Sequence, residues 1–397
     1  MGVHRLWEDL LPIGRDRSTG GYVRYSWSTV DLECRAWFTG AAGERGLDVE
    51  TDRNGNLWAW WGDPAAGDAV VTGSHLDSVP HGGAYDGPLG VVSGFLAVDE
   101  LRARGVTPAG PVAIVAFTEE EGARFGVACL GSRLLTGALD PDCARALSDV
   151  DGVSLAGAMG RAGADPAALG PDPDRLGRIG HFVELHVEQG RALDAPVGVA
   201  SAIWPHGRWR LDFTGEGNHA GTTRMADRRD PMLTFAYTVL AANKEARLGG
   251  AHATMGRVAV TPNATNAVPS AVSGWLDARA ADEATLEALV AAIANRARER
   301  AARDGTTVEV AAESVSPETT FHSGLRDRLA ARLGGVPVLP TGAGHDAGVL
   351  AGHVPTAMLF VRNPTGVSHA PAEYATDEDC AAGVAALADV LEELACR

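Results

Sequence analysis

The sequence predicts an α/β protein of two domains, the first interrupted by a ferredoxin-like α+β insertion. Three observations lead there. Short β-branched runs alternate with helical stretches along most of the chain. Those runs are almost continuously apolar, as strands are when helices cover both faces of a sheet. Between residues 207 and 317 the pattern becomes two long helices among alternating strands, in the order β-α-β-β-α-β.

In the first domain, strands are expected at Ala69-Val70-Val71-Thr72-Gly73 and at 111–117, 182–187 and 356–361. A helix is expected over 89–104, where Val92, Phe95 and Leu96 share a face. Leu57-Trp58-Ala59-Trp60-Trp61 reads as core or sheet-edge packing in preference to a carbohydrate platform. Residues 140–178, rich in Ala, Gly, Asp and Pro, read as helices and loops. In the insertion, Trp209, Leu211 and Phe213 alternate as a strand does. A helix over 231–248, strands over 254–260 and 272–278, a helix over 283–303 and a strand over 307–311 follow. The expected bounds are 1–206 with 318–397 for the first domain and 207–317 for the insertion.

The bulk numbers narrow the function. The chain has 397 residues, 45% hydrophobic and 21% charged, which suits a globular protein with a sizeable core. Its net charge of −17, from 51 acidic and 34 basic residues, argues against nucleic acid and anionic membranes as partners. An anionic substrate would need local help from metal ions or arginine. The first residues lack the basic and apolar regions of a secretion signal, and no run is long and apolar enough to span a membrane, so a cytoplasmic protein is expected. Five scattered cysteines without a CxxC pair read as reduced thiols.

Five segments carry candidate chemistry. Gly73-Ser74-His75-Leu76-Asp77 ends an apolar run, where open α/β sheets gather ligands. His75 could bind a metal while Asp77 fixes its tautomer. In Gly82-Gly83-Ala84-Tyr85-Asp86-Gly87, flanking glycines let the backbone crowd an ion that Asp86 could bridge, although alone it reads as a turn aspartate. Thr118-Glu119-Glu120-Glu121 follows a strongly apolar run. A solvated acidic loop is the plain explanation, but one carboxylate could bind a metal while its neighbour takes a proton from water. His186 and His369 complete a set of His, Asp, Glu, His and His without Cys. That set suits borderline ions such as Zn, Mn, Co or Ni.

Taken in order, HLDSV, GGxxDG, EEEGARF, ELHVEQG, HAGTT, GRVAVTPNATNAVP, LDAR, GAGHDA and SHAPAEY resemble the amidohydrolase branch of the aminoacylase-type di-zinc metallopeptidases. That branch includes N-carbamoyl-L-amino-acid hydrolases, β-ureidopropionases, ureidoglycolate amidohydrolases and allantoate amidohydrolases. The likeness runs from about residue 20 almost to the C-terminus. It implies a mixed-sheet, di-metal peptidase-like catalytic domain with an inserted lid and dimerisation domain. It also implies two divalent metal ions, Zn or Mn with Co or Ni as alternatives. His75 and His186 would bind one, Glu121 and His369 the other, and Asp86 would bridge. Glu120 would be the general base and Asp77 would orient His75. His219 would stabilise the oxyanion from the partner subunit of a homodimer joined through 207–317. Asn266 and Arg279 would contact the substrate carboxylate, Gln189 the ureido end, and His345 would lie near the substrate.

Some residues depart from that pattern. Arg224 stands after HAGTT where many relatives have proline, Trp204-Pro205-His206-Gly207-Arg208 replaces a Gly-Gln-type turn, and His81 replaces a small polar residue. They bear on substrate, not on reaction class. The expected activity is hydrolysis of the carbamoyl C–N bond of a small anionic ureido acid, allantoate first and an N-carbamoyl-L-amino acid second, releasing ammonia and CO2. A dipeptidase or N-acyl-amino-acid hydrolase fits EEEGARF, EQG and LDAR less well. An inactive metal-binding protein would have no need of Glu120 and His219.

Overall fold

The computed structural model describes residues 2–396; Met1 and Arg397, the outer ends of the expected first domain, lie outside the described residues. The chain divides into two compact units, one formed by residues up to Ala202 and from Thr320, the other by Ile203–Thr319.

The first unit is built on a mixed sheet. Across it run Asp48–Thr51, Leu57–Trp61, Val112–Phe117, Ala69–His75, Ile179–Val187, Thr356–Val361 and Val197–Ile203. The four from Val112–Phe117 to Thr356–Val361 are parallel to one another. Leu57–Trp61 and Val197–Ile203 flank them antiparallel. Ala69–His75, Val112–Phe117 and Thr356–Val361 are buried at every position, which explains their largely apolar sequence. Side chains alternate across a strand. Val183, Leu185 and Val187 join Val70, Val112 and Leu359 in a core cluster with Leu89 and Leu101 of the helix Pro88–Ala103 and Leu387 and Leu391 of Asp377–Ala395. Glu184 and His186 have the opposite parity and point to the other face. Gly73 (φ +146°) lets strands approach: a Cβ there would lie 1.9 Å from the Val115 carbonyl oxygen.

The tryptophans of Leu57–Trp61 are packing residues. Trp58 and Trp60 are fully buried and stacked, with ring centroids 5.9 Å apart, and Phe117 meets Trp58 edge-on. The segment 140–178 holds the short helices Pro141–Ala146, Leu155–Arg161 and Pro173–Leu176, whose Leu155 and Met159 pack with Leu130 and Leu134.

In the second unit, Thr307–Ser316, His206–Thr214, Ala271–Arg279 and His252–Thr261 form an antiparallel sheet in that order. The helices Pro231–Gly249 and Glu283–Asp304 complete β-α-β-β-α-β. Leu211, Phe213, Val272 and Leu276 form the core with Leu286, Leu289 and Ile293. Asp230 and Asp282 cap the two helices, and Gly250 and Gly305 end them in the left-handed region. No helix among the described residues is long and apolar enough to cross a membrane.

Candidate metal centre

The four parallel strands deliver one cluster to their carboxyl ends. His75 is the last residue of its strand and His186 the last but one of its own. Glu120 and Glu121 follow the strand ending at Phe117, and His369 lies on the segment after the strand ending at Val361. Asp86 comes from the loop ahead of the helix Pro88–Ala103.

Asp86 stands between two triads, His75/Asp86/His186 and Asp86/Glu121/His369. Its Oδ1 lies 3.5 Å from His75 Nε2 and 3.2 Å from His186 Nε2. Its Oδ2 lies 3.5 Å from His369 Nε2, which is itself 3.4 Å from Glu121 Oε2. Thus each oxygen faces one triad. Glu120 Oε2 is 3.6 Å from His75 Nε2.

These residues fit metal ions. His75 Nδ1 is 3.0 Å from the Asp77 carbonyl, which assigns its N–H there and leaves Nε2 with a lone pair. That Nε2 is buried without a hydrogen-bond partner among the described residues, an unfavourable state for a polar atom that ligation relieves. His186 Nδ1 is likewise 2.8 Å from the Val187 carbonyl. The electrostatics agree. Burial raises Glu120 well above the usual carboxylate range, opposed by His75 and reinforced by Glu121. Burial, then Asp86, pushes Glu121 up to about 8. Burial raises Asp86 too, but His186 and His75 outweigh it and hold that carboxyl well below its usual range. So many carboxylates converging on two imidazoles make a site for positive charge.

Neighbouring groups hold the donors. The Asp77 carboxylate accepts the backbone N–H groups of Glu120 and Glu121, each at 3.1 Å, and lies 3.7 Å from His75 Nδ1. The expected tautomer control therefore comes from the Asp77 carbonyl, and its carboxylate grips the glutamate pair instead. Three bonds join Cys129, Leu130 and Gly131 N–H to the carbonyls of Glu120, Glu119 and Thr118, at 2.7, 3.1 and 2.9 Å. The Asn56 amide bridges the end of this ladder, accepting from Thr118 N–H and donating to the Gly131 carbonyl. Gln189 Nε2 donates to Asp86 Oδ2 at 2.8 Å, so the amide expected at the ureido end steadies a carboxylate. Glu373 Oε1 accepts Tyr85 and Asp86 N–H, and Ser368 Oγ lies within hydrogen-bond distance of both Asp86 Oδ2 and Glu373 Oε2, at 3.0 and 3.1 Å, with one hydrogen to share between them.

His345 is buried 4.5 Å, centroid to centroid, from His186, and neither of its ring nitrogens has a hydrogen-bond partner among the described residues. Together with Glu184 and His186 it makes a third group of convergent donors. Glu184 accepts from Ser74 Oγ and Ala347 N–H. Glu184, Ser368, Glu373 and Asn56 join the site without an expectation from sequence. Strand parity could have found Glu184, two residues before His186. Glu373 lies in the quoted SHAPAEY, but only the fold brings it to Asp86.

The remaining expected residues lie in the second unit. His219 pairs with Ala267 in a short ladder, and Ala220 N–H donates to the Asn266 carbonyl, so His219 and Asn266 are neighbours, both exposed. Arg279 ends the strand Ala271–Arg279, with Nε and Nη2 bound to Asp277 Oδ1 and Oδ2 at 2.8 and 3.1 Å. Asp277 thus holds two nitrogens of the guanidinium that the resemblance assigns to a substrate carboxylate.

Fold and donors together define a class: a mixed α/β protein with a histidine–carboxylate centre at the carboxyl ends of its parallel strands. The chain belongs to the peptidase family M20/M25/M40, whose family model matches residues 71–393. It is similar to the N-carbamoyl-L-amino acid amidohydrolase of Geobacillus stearothermophilus, at 38% identity over 98% of each chain. The allantoate amidohydrolase of Escherichia coli (strain K12) is 34% identical over 98% of this chain and 97% of its own. The structure resembles that of an amidase of the hydantoinase/carbamoylase family from Burkholderia vietnamiensis. Its TM-score is 0.88 at 32% identity, covering 100% of this chain and 98% of that one. The chain is a metal-dependent hydrolase acting on carbon–nitrogen bonds other than peptide bonds.

Proposed function

We propose that this protein hydrolyses the carbamoyl C–N bond of a small anionic ureido acid, releasing ammonia and CO2. The observation that carries the reading is Asp86, with one carboxylate oxygen turned to each triad. In this reading His75, Asp86 and His186 hold one divalent ion, and Asp86, Glu121 and His369 the other, Zn or Mn with Co or Ni as alternatives. Such ions polarise the carbonyl and make water a nucleophile near neutral pH.

The chain's own groups do the rest. Glu120 takes the proton of the attacking water and passes it to the leaving nitrogen. Its Oε2 faces His75 Nε2, and Asp77 secures its backbone. His345, buried with free ring nitrogens beside His186, offers a hydrogen bond to the substrate. Arg279 and Asn266 receive the substrate carboxylate, with Asp277 orienting the guanidinium. His219 stabilises the oxyanion from the second subunit of a homodimer. That role is supported by its exposure, and by a ring whose Nδ1 accepts Gly221 N–H and so leaves Nε2 as the donor.

Among substrates, an N-carbamoyl-L-amino acid is placed first and allantoate second, because the N-carbamoyl relative is the more identical of the two. Allantoate, the first expectation from the whole-chain resemblance, stays as the alternative, supported by a relative of its own. The test is ammonia release from N-carbamoyl-L-amino acids, allantoate, ureidoglycolate and β-ureidopropionate with metal supplied. Turnover of N-acyl-amino acids or dipeptides, and of no ureido acid, would overturn the proposal.

A further inference from the structure

We infer that Cys129 is a positioning residue that holds the Glu120 carboxylate, its thiol occupying Oε1 so that Oε2 is turned to the metal centre. The inference rests on Glu120 being the general base. Cys129 Sγ lies 3.4 Å from Glu120 Oε1, within sulfur hydrogen-bond range, while Oε2 faces His75 Nε2 at 3.6 Å. The two oxygens of one carboxylate therefore have different surroundings. Thiol and carboxylate are both buried, so water does not compete for the bond. Burial, then the Glu120 charge, raises the Cys129 thiol well above its usual range, which keeps it a donor.

The backbone gives separate support. Cys129 N–H donates to the Glu120 carbonyl at 2.7 Å, so one residue grips both the main chain and the side chain of the base. Cys129 is held in the left-handed region, φ +54° and ψ +37°, ahead of the helix Leu130–Thr136. A residue with a Cβ is strained there, and glycine is the usual occupant. Among the described residues, the hydrogen-bond partner of the thiol held at this position is the Glu120 carboxylate. The ladder from Thr118 to Gly131, bridged by Asn56, makes the strained turn rigid.

Three substitutions separate positioning from packing. Cys129→Gly removes the donor and the backbone strain, Cys129→Ala removes the donor alone, and Cys129→Ser keeps a hydroxyl donor. On the metal-loaded enzyme, Gly and Ala should each lower kcat about three- to tenfold, the worth of one hydrogen bond. KM and metal content should stay put, and Ser should recover most of the loss. Wild-type kcat in Cys129→Gly and Cys129→Ala, or a Ser variant as slow as Ala, overturns the inference. Substantial turnover in Glu120→Gln alone overturns the base assignment instead.

Discussion

Glu120 and Glu121 are adjacent in sequence yet face different partners, His75 for one and His369 for the other. Their exchange to amides should therefore separate two functions. Glu120→Gln is expected to abolish turnover while metal content stays near that of the parent; Glu121→Gln is expected to lose metal. Elemental analysis alongside ammonia release checks both, and the reverse pattern would exchange their roles. Arg279 makes a second test. Arg279→Ala should weaken the substrate carboxylate contact by about 1.5–3 kcal/mol, seen as a raised KM. A neutral amide analogue should be spared. If it suffers as much as the free acid, Arg279 serves Asp277 and the sheet, not the substrate.

At the scale of elements, the loop 82–87 and the helix Pro88–Ala103 show how tightly backbone and centre are fitted. Gly87 precedes that helix with φ +83°, and a Cβ there would lie 2.4 Å from His75 Cε1. Its N–H also reaches His186 Nε2 at 3.2 Å. Gly87→Ala should therefore push the His75 ring aside. Overpacking of this kind is destabilising by about 1–3 kcal/mol, and the displaced ligand should lower metal content as well. Thermal melts and metal analysis read the two effects apart. A variant with parental metal content and activity would show that the loop yields without moving the ligand. Gly83 is fitted as closely, since a Cβ there would meet Glu373 Oε1 at 2.3 Å.

For the whole molecule, two expectations follow from the proposed function. Chelation followed by dialysis should abolish activity, and a borderline divalent ion should restore it. Full activity of metal-free protein would sink the mechanism. Assembly is tested by complementation. The first unit holds the proposed ligands and base, whereas His219 is carried, exposed, on the second. His219→Ala and Glu120→Gln should each be nearly inactive. Heterodimers of the two should recover about half of the parental activity, because one of two sites is then intact. A monomer in solution, or exchanged dimers as inactive as their parents, would confine His219 to its own chain or remove it from the reaction.

Much of this architecture was legible in the amino-acid order. Short apolar runs rich in β-branched residues pointed to buried strands, and Val112–Phe117 and Thr356–Val361 are buried on both faces as such strands are. Alternation at Trp209, Leu211 and Phe213 marked a strand with one buried face, seen in the pattern of His206–Thr214. His75, Asp86, His186, His369 and a carboxylate of the run Glu119-Glu120-Glu121 could be grouped by residue type and setting, whereas the choice of Glu121 as ligand and Glu120 as base is what the family resemblance implies. Other features had no local signal. The Asp77 carboxylate lies 43 and 44 residues from the N–H groups it holds, and Glu373 lies 287 residues from Asp86. The amide of Gln189 also meets Asp86, and two guanidinium nitrogens of Arg279 also meet Asp277, contacts for which the sequence carries no signal. By itself the sequence determined the elements and the donor set, because periodicity and side-chain chemistry are local properties. Only the tertiary structure decided which oxygen meets which nitrogen and which groups hold the donors, because those contacts exist only after distant strands are laid side by side.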